Sequence, residues 1–136
     1  MSWFHNEVEV TEPPEGYIGF VYCITNRING RKYIGKKLFV FRHKQVRKGK
    51  SKTILKESDW KKYYGSNEHL KNDVEEFGAE NFHRKILYFC KGKGEMTYIE
   101  LREQMDRRVL EKEEYYNGFV GGKISSTHIK KWLLTK

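Results

Sequence analysis

Two tyrosines, one glutamate and a dense run of cations are the groups of this chain best suited to chemistry. Tyr22 and Tyr33 lie in the stretch Gly16 to Lys37, GYIGFVYCITNRINGRKYIGKK, where Tyr33-Ile34-Gly35 runs straight into Lys36-Lys37. Glu103 falls in the middle of an apolar stripe made by Met96, Ile99 and Leu110 at helical spacing. A carboxylate among apolar residues must be paired, protonated or bound to a metal, because burying a bare charge is costly. An i,i+4 ion pair with Arg107 would satisfy it, and so would a metal held against the tyrosine hairpin; spacing leaves both open. The cations are concentrated: Lys36 to Lys62 holds eleven Lys or Arg against Glu57 and Asp59, which equals the net +9 of the whole chain. Clustered cations release counterions from a phosphate backbone, and the interleaved Phe39, Phe41, Trp60, Tyr63 and Tyr64 can stack on bases or anchor the segment. A nucleic-acid surface is favoured over a plain solvated face, with Lys36, Lys37, Lys44, Arg47, Lys48 and Lys50 on phosphates and Trp60 and Tyr64 as the aromatic contacts.

The scaffold for these residues follows from pattern. Gly19 to Thr25 is rich in β-branched and aromatic residues, Arg31 to Gly35 reads as its return strand, and Asn29-Gly30 is a turn signal. A two-residue loop would set Tyr22 opposite Lys37, with the tyrosines on one face roughly 13 Å apart. A longer loop over Asn26 to Asn29 would set Tyr22 directly opposite Tyr33, Cβ atoms about 5 Å apart. Ser66 to Phe77 reads as a helix with Ser66 as N-cap, Gly78 at its end and Leu70, Val74 and Phe77 as its apolar stripe. Phe82 to Cys90 reads as a third strand, and Glu95 to Glu114 as a second helix packed through Tyr98, Leu101, Met105 and Val109, with Glu100 and Glu111 towards its polar side. Lys44 to Lys56, poor in apolar residues, reads as a mobile loop.

At 136 residues the chain is expected to be one domain of ordinary size. Residues 1–15, with four glutamates and Pro13-Pro14, read as an acidic, loosely held arm; 16–120 as the working domain; and 121–136 as a basic tail too short to fold alone. No apolar run is long enough to span a bilayer, and no secretory leader is expected. Cys23 and Cys90 read as buried thiols of a reducing, cytoplasmic compartment rather than a disulfide. The five histidines show no zinc-binding spacing.

Phe20-Val21-Tyr22, ten residues, then Tyr33-Ile34-Gly35 resembles the signature of the GIY-YIG nucleases, with Phe20 where that family usually has Gly. The resemblance extends along the chain. The family has an arginine after the hairpin, and Arg42 is the best match; it lies seven residues past Gly35 where many members place it eight past, a place His43 takes here. A later helix carries a metal-binding glutamate, commonly followed by Gln or Asn, which Glu103-Gln104 fits. Asn117, in Tyr115-Tyr116-Asn117-Gly118, is similar to the family's late asparagine. Trp60 to Ser66, WKKYYGS, resembles small phage proteins described as homing-endonuclease-like.

The resemblance implies an α/β (α+β) domain: a three-stranded antiparallel sheet flanked by helices, with the site on one sheet face. It implies a metal-dependent endonuclease of phage or mobile-element type acting on double-stranded DNA with one Mg2+ (or Mn2+), in the host cytoplasm where phage-encoded. A tyrosine of lowered pKa, Tyr22 or Tyr33, would take the proton of the attacking water. Arg42 would stabilise the phosphorane, Glu103 would hold the metal, and Gly35, His43 and Asn117 would support them. Specificity would lie in loops, an oligomer or a separate recognition partner. A structure-specific repair or recombination nuclease, a catalytically inactive nucleic-acid-binding protein and a basic RNA-binding domain are the competing readings.

Overall fold

The computed structural model describes residues 1–121 and 124–134, apart from the side chains of Ile129 and Trp132. The chain runs β1 (Trp3–His5), β2 (Val8–Val10), β3 (Gly19–Asn26), β4 (Lys32–Leu38), β5 (Val40–Arg47), β6 (Lys50–Glu57), a 3-10 turn at Trp60–Lys62, α1 (Glu68–Phe77), a 3-10 turn at Ala79–Asn81, β7 (Phe82–Cys90), α2 (Lys93–Asp106), β8 (Phe119–Val120), β9 (Ile124–Ser125) and α3 (Ser126–Leu134). No helix among the described residues is long and apolar enough to cross a membrane. Gly122, Lys123, Thr135 and Lys136 of the expected basic tail lie outside the described residues.

The α+β class agrees with expectation, but the three-stranded sheet does not: the main sheet has five strands in the order β2-β1-β7-β3-β4, with β1 parallel to β7. The two extra strands come from the segment expected to be a loose arm. Trp3 holds it down, 1% exposed, its ring edge-on to Phe20 and Tyr22 and its indole N–H donating to the Trp60 carbonyl at 2.7 Å. The buried Trp ring, its hydrogen bond and the β1–β2 and β1–β7 ladders together offset the cost of ordering these strands, whatever the acidic composition around them.

β3 lies between β7 and β4 and separates the two cores. Its apolar run is covered on both faces, and alternation sorts it into two cores. Phe20, Tyr22 and Ile24 pack with Trp3, Phe39, Trp60, Leu70 and Ile86 on one face; Val21 and Cys23 pack with Ile34, Cys90, Met96 and Val109 under α2 on the other. Both cysteines are buried free thiols.

The hairpin takes neither expected register. Tyr22 stands opposite Gly35 and Ile24 opposite Tyr33. The reason is Asn26: it still pairs through its N–H to the Arg31 carbonyl, while its side chain accepts from Ile28 N–H at 2.9 Å. The loop is therefore Arg27–Gly30, with Gly30 at φ +77°. The tyrosines end up diagonal across one face, ring centroids 6.2 Å apart.

α1 begins one cap later than expected, with Asn67 rather than Ser66 accepting from Leu70 N–H at 2.9 Å, and ends at Gly78 as expected. α2 stops at Asp106 and is rolled relative to the expected stripe. Tyr98, Leu101 and Met105 are exposed (Met105 57%), while Met96 and Gln104 are buried. Lys44 to Lys56 is not a loop: β5 and β6 pair over eight residues and turn at Lys48-Gly49, where φ is +51° and +78°, the backbone of a type I′ turn.

Candidate active site

β4 is an outer strand of the sheet, and half of its free edge is closed by a strap from residues 114–117. Lys32 N–H donates to the Glu114 carbonyl and Tyr116 N–H to the Lys32 carbonyl, each at 2.7 Å. The Asn117 side chain then plays the part of a neighbouring strand at Ile34, accepting from its N–H at 3.0 Å and donating to its carbonyl at 2.8 Å. Buried Gln104 donates to the same carbonyl at 3.2 Å. The strap ends there, and beyond it lie Gly35, Lys36 and Lys37.

Gly35 sits under the ring of Tyr22, which is directly across the ladder, and a Cβ at this position would collide with that ring and with Tyr33. The second tripeptide ends in glycine for that reason. Tyr22 is sealed, 1% exposed, between Trp3, Tyr33 and Tyr63. Tyr33 is half-buried and its hydroxyl lies 3.3 Å from Ser66 Oγ. Burial pushes both phenols above their ordinary pKa, Tyr22 well above, and Glu100 adds in the same direction at both; the Ser66 bond opposes the shift at Tyr33. The expected lowering by neighbouring cations is therefore reversed, because loss of solvation outweighs them.

Two lysines flank the tyrosines. Lys37, on the tyrosine face of β4, lies 2.6 Å from Asp59 and 4.1 Å from the Tyr63 ring centroid, and it pulls the Asp59 carboxyl below its usual value. Lys36, on the opposite face, donates to Thr97 Oγ1 at 2.9 Å and lies 4.0 Å from Glu100. Glu100 projects from α2 towards this open edge with its side chain 20% exposed; burial raises its pKa against the pull of Lys36. A groove of about 710 Å3 opens here between the root of the β5–β6 ribbon and α2, with Lys36, Lys37, Phe41, Asp59, Lys93 and Thr97 in its walls.

The structure therefore brings together Tyr22, Tyr33, Gly35, Lys36 and Lys37, with Asn117 bracing them, and adds Glu100, which the periodicity had assigned to the polar side. Glu103 faces elsewhere: its charge acts on Arg107, whose strongest favourable partner is Tyr115, near Cys23. Arg42 and His43 lie exposed on β5, opposite Leu55 and Ile54, and Arg42 borders a neighbouring depression with Leu38 and Lys91 to Lys93. Trp60 is fully buried and has no face to offer a base; Tyr64 is covered by the Arg84 guanidinium at 4.2 Å. Lys44, Arg47, Lys48 and Lys50 are exposed on the ribbon. Glu100 could have been found from spacing, since it stands four residues from each of the two residues α2 buries, Met96 and Gln104. Counting only apolar residues hid it.

Among the described residues no group of three or more His, Cys, Asp or Glu could hold a metal ion. Glu100 is the carboxylate whose charge acts on both tyrosines, while Asp59 is held by Lys37. That donor set fits a hard cation that keeps its waters and takes further oxygens from a substrate phosphate, as Mg2+ commonly does.

The family model described as "Putative endonuclease segE, GIY-YIG domain" matches residues 3–120. "Putative endonuclease segE" of Enterobacteria phage T4 is 31% identical over 113 residues, 81% of this chain and 46% of that protein. "Putative endonuclease segD" of the same phage is 30% identical over 103 residues, 76% of this chain and 38% of that protein. The chain spans less than half the length of these curated relatives. No solved structure matches it. The family match begins at Trp3, the residue that pins β1, and ends at Val120, so the arm strands, the ribbon and the strap all fall inside it, and the chain belongs to the GIY-YIG family.

Proposed function

We propose that this chain is an endonuclease that hydrolyses DNA phosphodiester bonds at the open edge of β4 with one divalent cation. The observation that carries the reading is the convergence of two tyrosines, two lysines and one semi-buried carboxylate where the Asn117 strap stops. Tyr33, with its hydroxyl within reach of the surface and 3.3 Å from Ser66 Oγ, holds the attacking water through its oxygen. Tyr22, sealed and neutral, packs against Gly35 and fixes the Tyr33 ring. Lys36 and Lys37 meet the charge that grows on the non-bridging phosphate oxygens, the part expected of Arg42. Glu100 rather than Glu103 would hold the cation, because it projects from α2 to the open edge beside Lys36 and its charge acts on both tyrosines. A cation held there would supply charge neutralisation to the phosphate and its leaving oxygen. Phage or mobile-element origin is inferred from the phage relatives and the WKKYYGS stretch, and the gathering of Tyr33, Lys36, Lys37 and Glu100 at one edge favours an active enzyme over a binding-only protein.

The test is nicking of supercoiled plasmid. The expected result is relaxation of the plasmid in Mg2+ or Mn2+ and none in EDTA, with DNA binding kept in both. Relaxation that persists in EDTA would remove the metal, and binding without any cleavage in either cation would leave a nucleic-acid-binding protein on a nuclease fold.

A further inference from the structure

The β5–β6 ribbon stands clear of both cores, with every residue from Phe41 to Thr53 exposed. A lone hairpin wet on both sides is marginal in water. This one also carries seven Lys or Arg against a single acid, Glu57, whose carboxylate already accepts from the Trp60 indole N–H at 2.9 Å. Among the described residues none of the seven cations lies within ion-pair distance of a carboxylate. Arg47 even stands directly across the ladder from Lys50, a destabilising pairing. Cations held in register without neutralisation are complementary to a polyanion.

The register sorts the side chains by face. Phe41, His43, Gln45 and Arg47 share one face with their partners Lys56, Ile54, Lys52 and Lys50. The other face pairs Arg42 with Leu55, Lys44 with Thr53 and Val46 with Ser51. The first face holds the long hydrogen-bonding side chains, and Phe41 at its root lines both the groove that contains Lys36 and Lys37 and the neighbouring depression. Arg42 and Leu55 of the second face line the depression and not that groove. Eight residue pairs at ~3.4 Å give a ribbon of roughly 27 Å, or about eight base pairs at ~3.4 Å each. The major groove, about 12 Å wide, admits a two-stranded ribbon, and there Arg and Lys recognise guanine and Gln recognises adenine. Beyond Phe41 the ribbon has no Phe, Tyr or Trp, so it offers no row of large aromatic rings on which successive single-stranded bases could stack.

We propose that the β5–β6 ribbon lies in the major groove of duplex DNA, with Gln45, Arg47, Lys50 and Lys52 against base edges, and selects the sequence on which the β4 edge acts. The second half rests on the nuclease reading; the groove docking stands without it.

The test is selection of bound duplexes from a randomised pool in EDTA, using the full chain, a Gln45→Ala/Arg47→Ala variant and a Lys44→Ala/Lys48→Ala variant. The wild type should enrich a preference confined to about eight consecutive base pairs. Gln45→Ala/Arg47→Ala should cut the ratio of preferred to random affinity by about 10- to 100-fold. Lys44→Ala/Lys48→Ala should weaken all sequences alike and keep the preference, because phosphate contacts carry no sequence information. All three should melt together, since the substitutions are exposed. No enriched sequence in the wild type, a preference that survives Gln45→Ala/Arg47→Ala, or tighter binding to single strands than to duplex would overturn the proposal. The selected duplex is then incubated with Mg2+: cutting at or beside the preferred sequence supports both halves, whereas selective binding without cutting defeats the nuclease reading and leaves the groove docking standing.

Discussion

The edge of β4 and the β5–β6 ribbon are joined by one residue, Phe39, yet they are held in opposite ways. At the edge nearly every group is committed: Tyr22 is sealed over Gly35, the Ile34 carbonyl takes donors from both Asn117 and Gln104, and the Lys37 ammonium is clasped by Asp59 and Tyr63. The ribbon has its own ladder, its turn at Lys48-Gly49 and an anchor at each root, Phe39 and Trp60, packed edge-on at 4.9 Å. Both regions are proposed to need precision, and they obtain it differently. Chemistry at a phosphate tolerates only displacements well under an ångström, and the residues proposed for it are locked by packing. A ribbon proposed to read base edges is positioned by its own ladder and turn, while its side chains are left to solvent.

Glu100 is where this contrast is most exposed to failure. Glu100→Gln is expected to lose more than about 100-fold in nicking rate, since even outer-shell partners of metal ligands cost roughly 10- to 100-fold, while Glu103→Gln stays within a few-fold of wild type. The reverse order in initial-rate assays would return the metal to Glu103 and place the site on the Arg107 side of α2. The tyrosines come next. Tyr33→Phe should slow cleavage by about 100-fold or more, the usual worth of proton handling, and Tyr22→Phe by much less, because its hydroxyl is sealed from any water that attacks. Equal losses in single-turnover rates would mean that Tyr22 reaches the substrate.

For the ribbon the lever is salt. Charge reversal of Lys44 and Lys48 together should flatten the slope of log affinity against log salt, by roughly 0.9 for each phosphate no longer neutralised; an unchanged slope would put the duplex elsewhere. Stability should divide the two regions the other way. Asn117→Ala strands the Ile34 N–H and should lower the unfolding free energy by about 1–3 kcal/mol in urea titrations, whereas Val46→Ala on the ribbon should stay within about 0.5 kcal/mol.

The smallest effect concerns pH. Burial raises the Glu100 pKa above its unfolded value, so the native state binds its proton more readily than the unfolded chain does. The cost of the carboxylate is thus fully present above the raised folded value and relieved as pH falls through it towards the unfolded value. Glu100→Gln should melt slightly higher than wild type at neutral pH without metal, and the gap should close on acidification through that window. A lower melting point at neutral pH would show that the Lys36 contact outweighs the burial.

Much of the scaffold is legible in sequence because it depends on local chemistry. The apolar run of β3, the strand Phe82–Cys90, the end of α1 at Gly78, and the sharing of one face by Tyr22 and Tyr33 all follow from alternation and capping. Asn117 was legible as a residue of interest, though only the structure shows its two bonds to Ile34. Local chemistry sets which side chains alternate and where the chain must turn. It does not set which neighbour covers them. Trp3 recruits the acidic arm across the sheet, Asn26 shifts the hairpin register by closing a four-residue loop, and α2 turns Glu100 rather than Glu103 to the open edge. Each of those outcomes is a competition between packing partners distant in sequence. A helix with apolar residues on two sides can roll by one position at little local cost, so the tertiary contacts of Met96 and Gln104 determine which carboxylate meets the tyrosines.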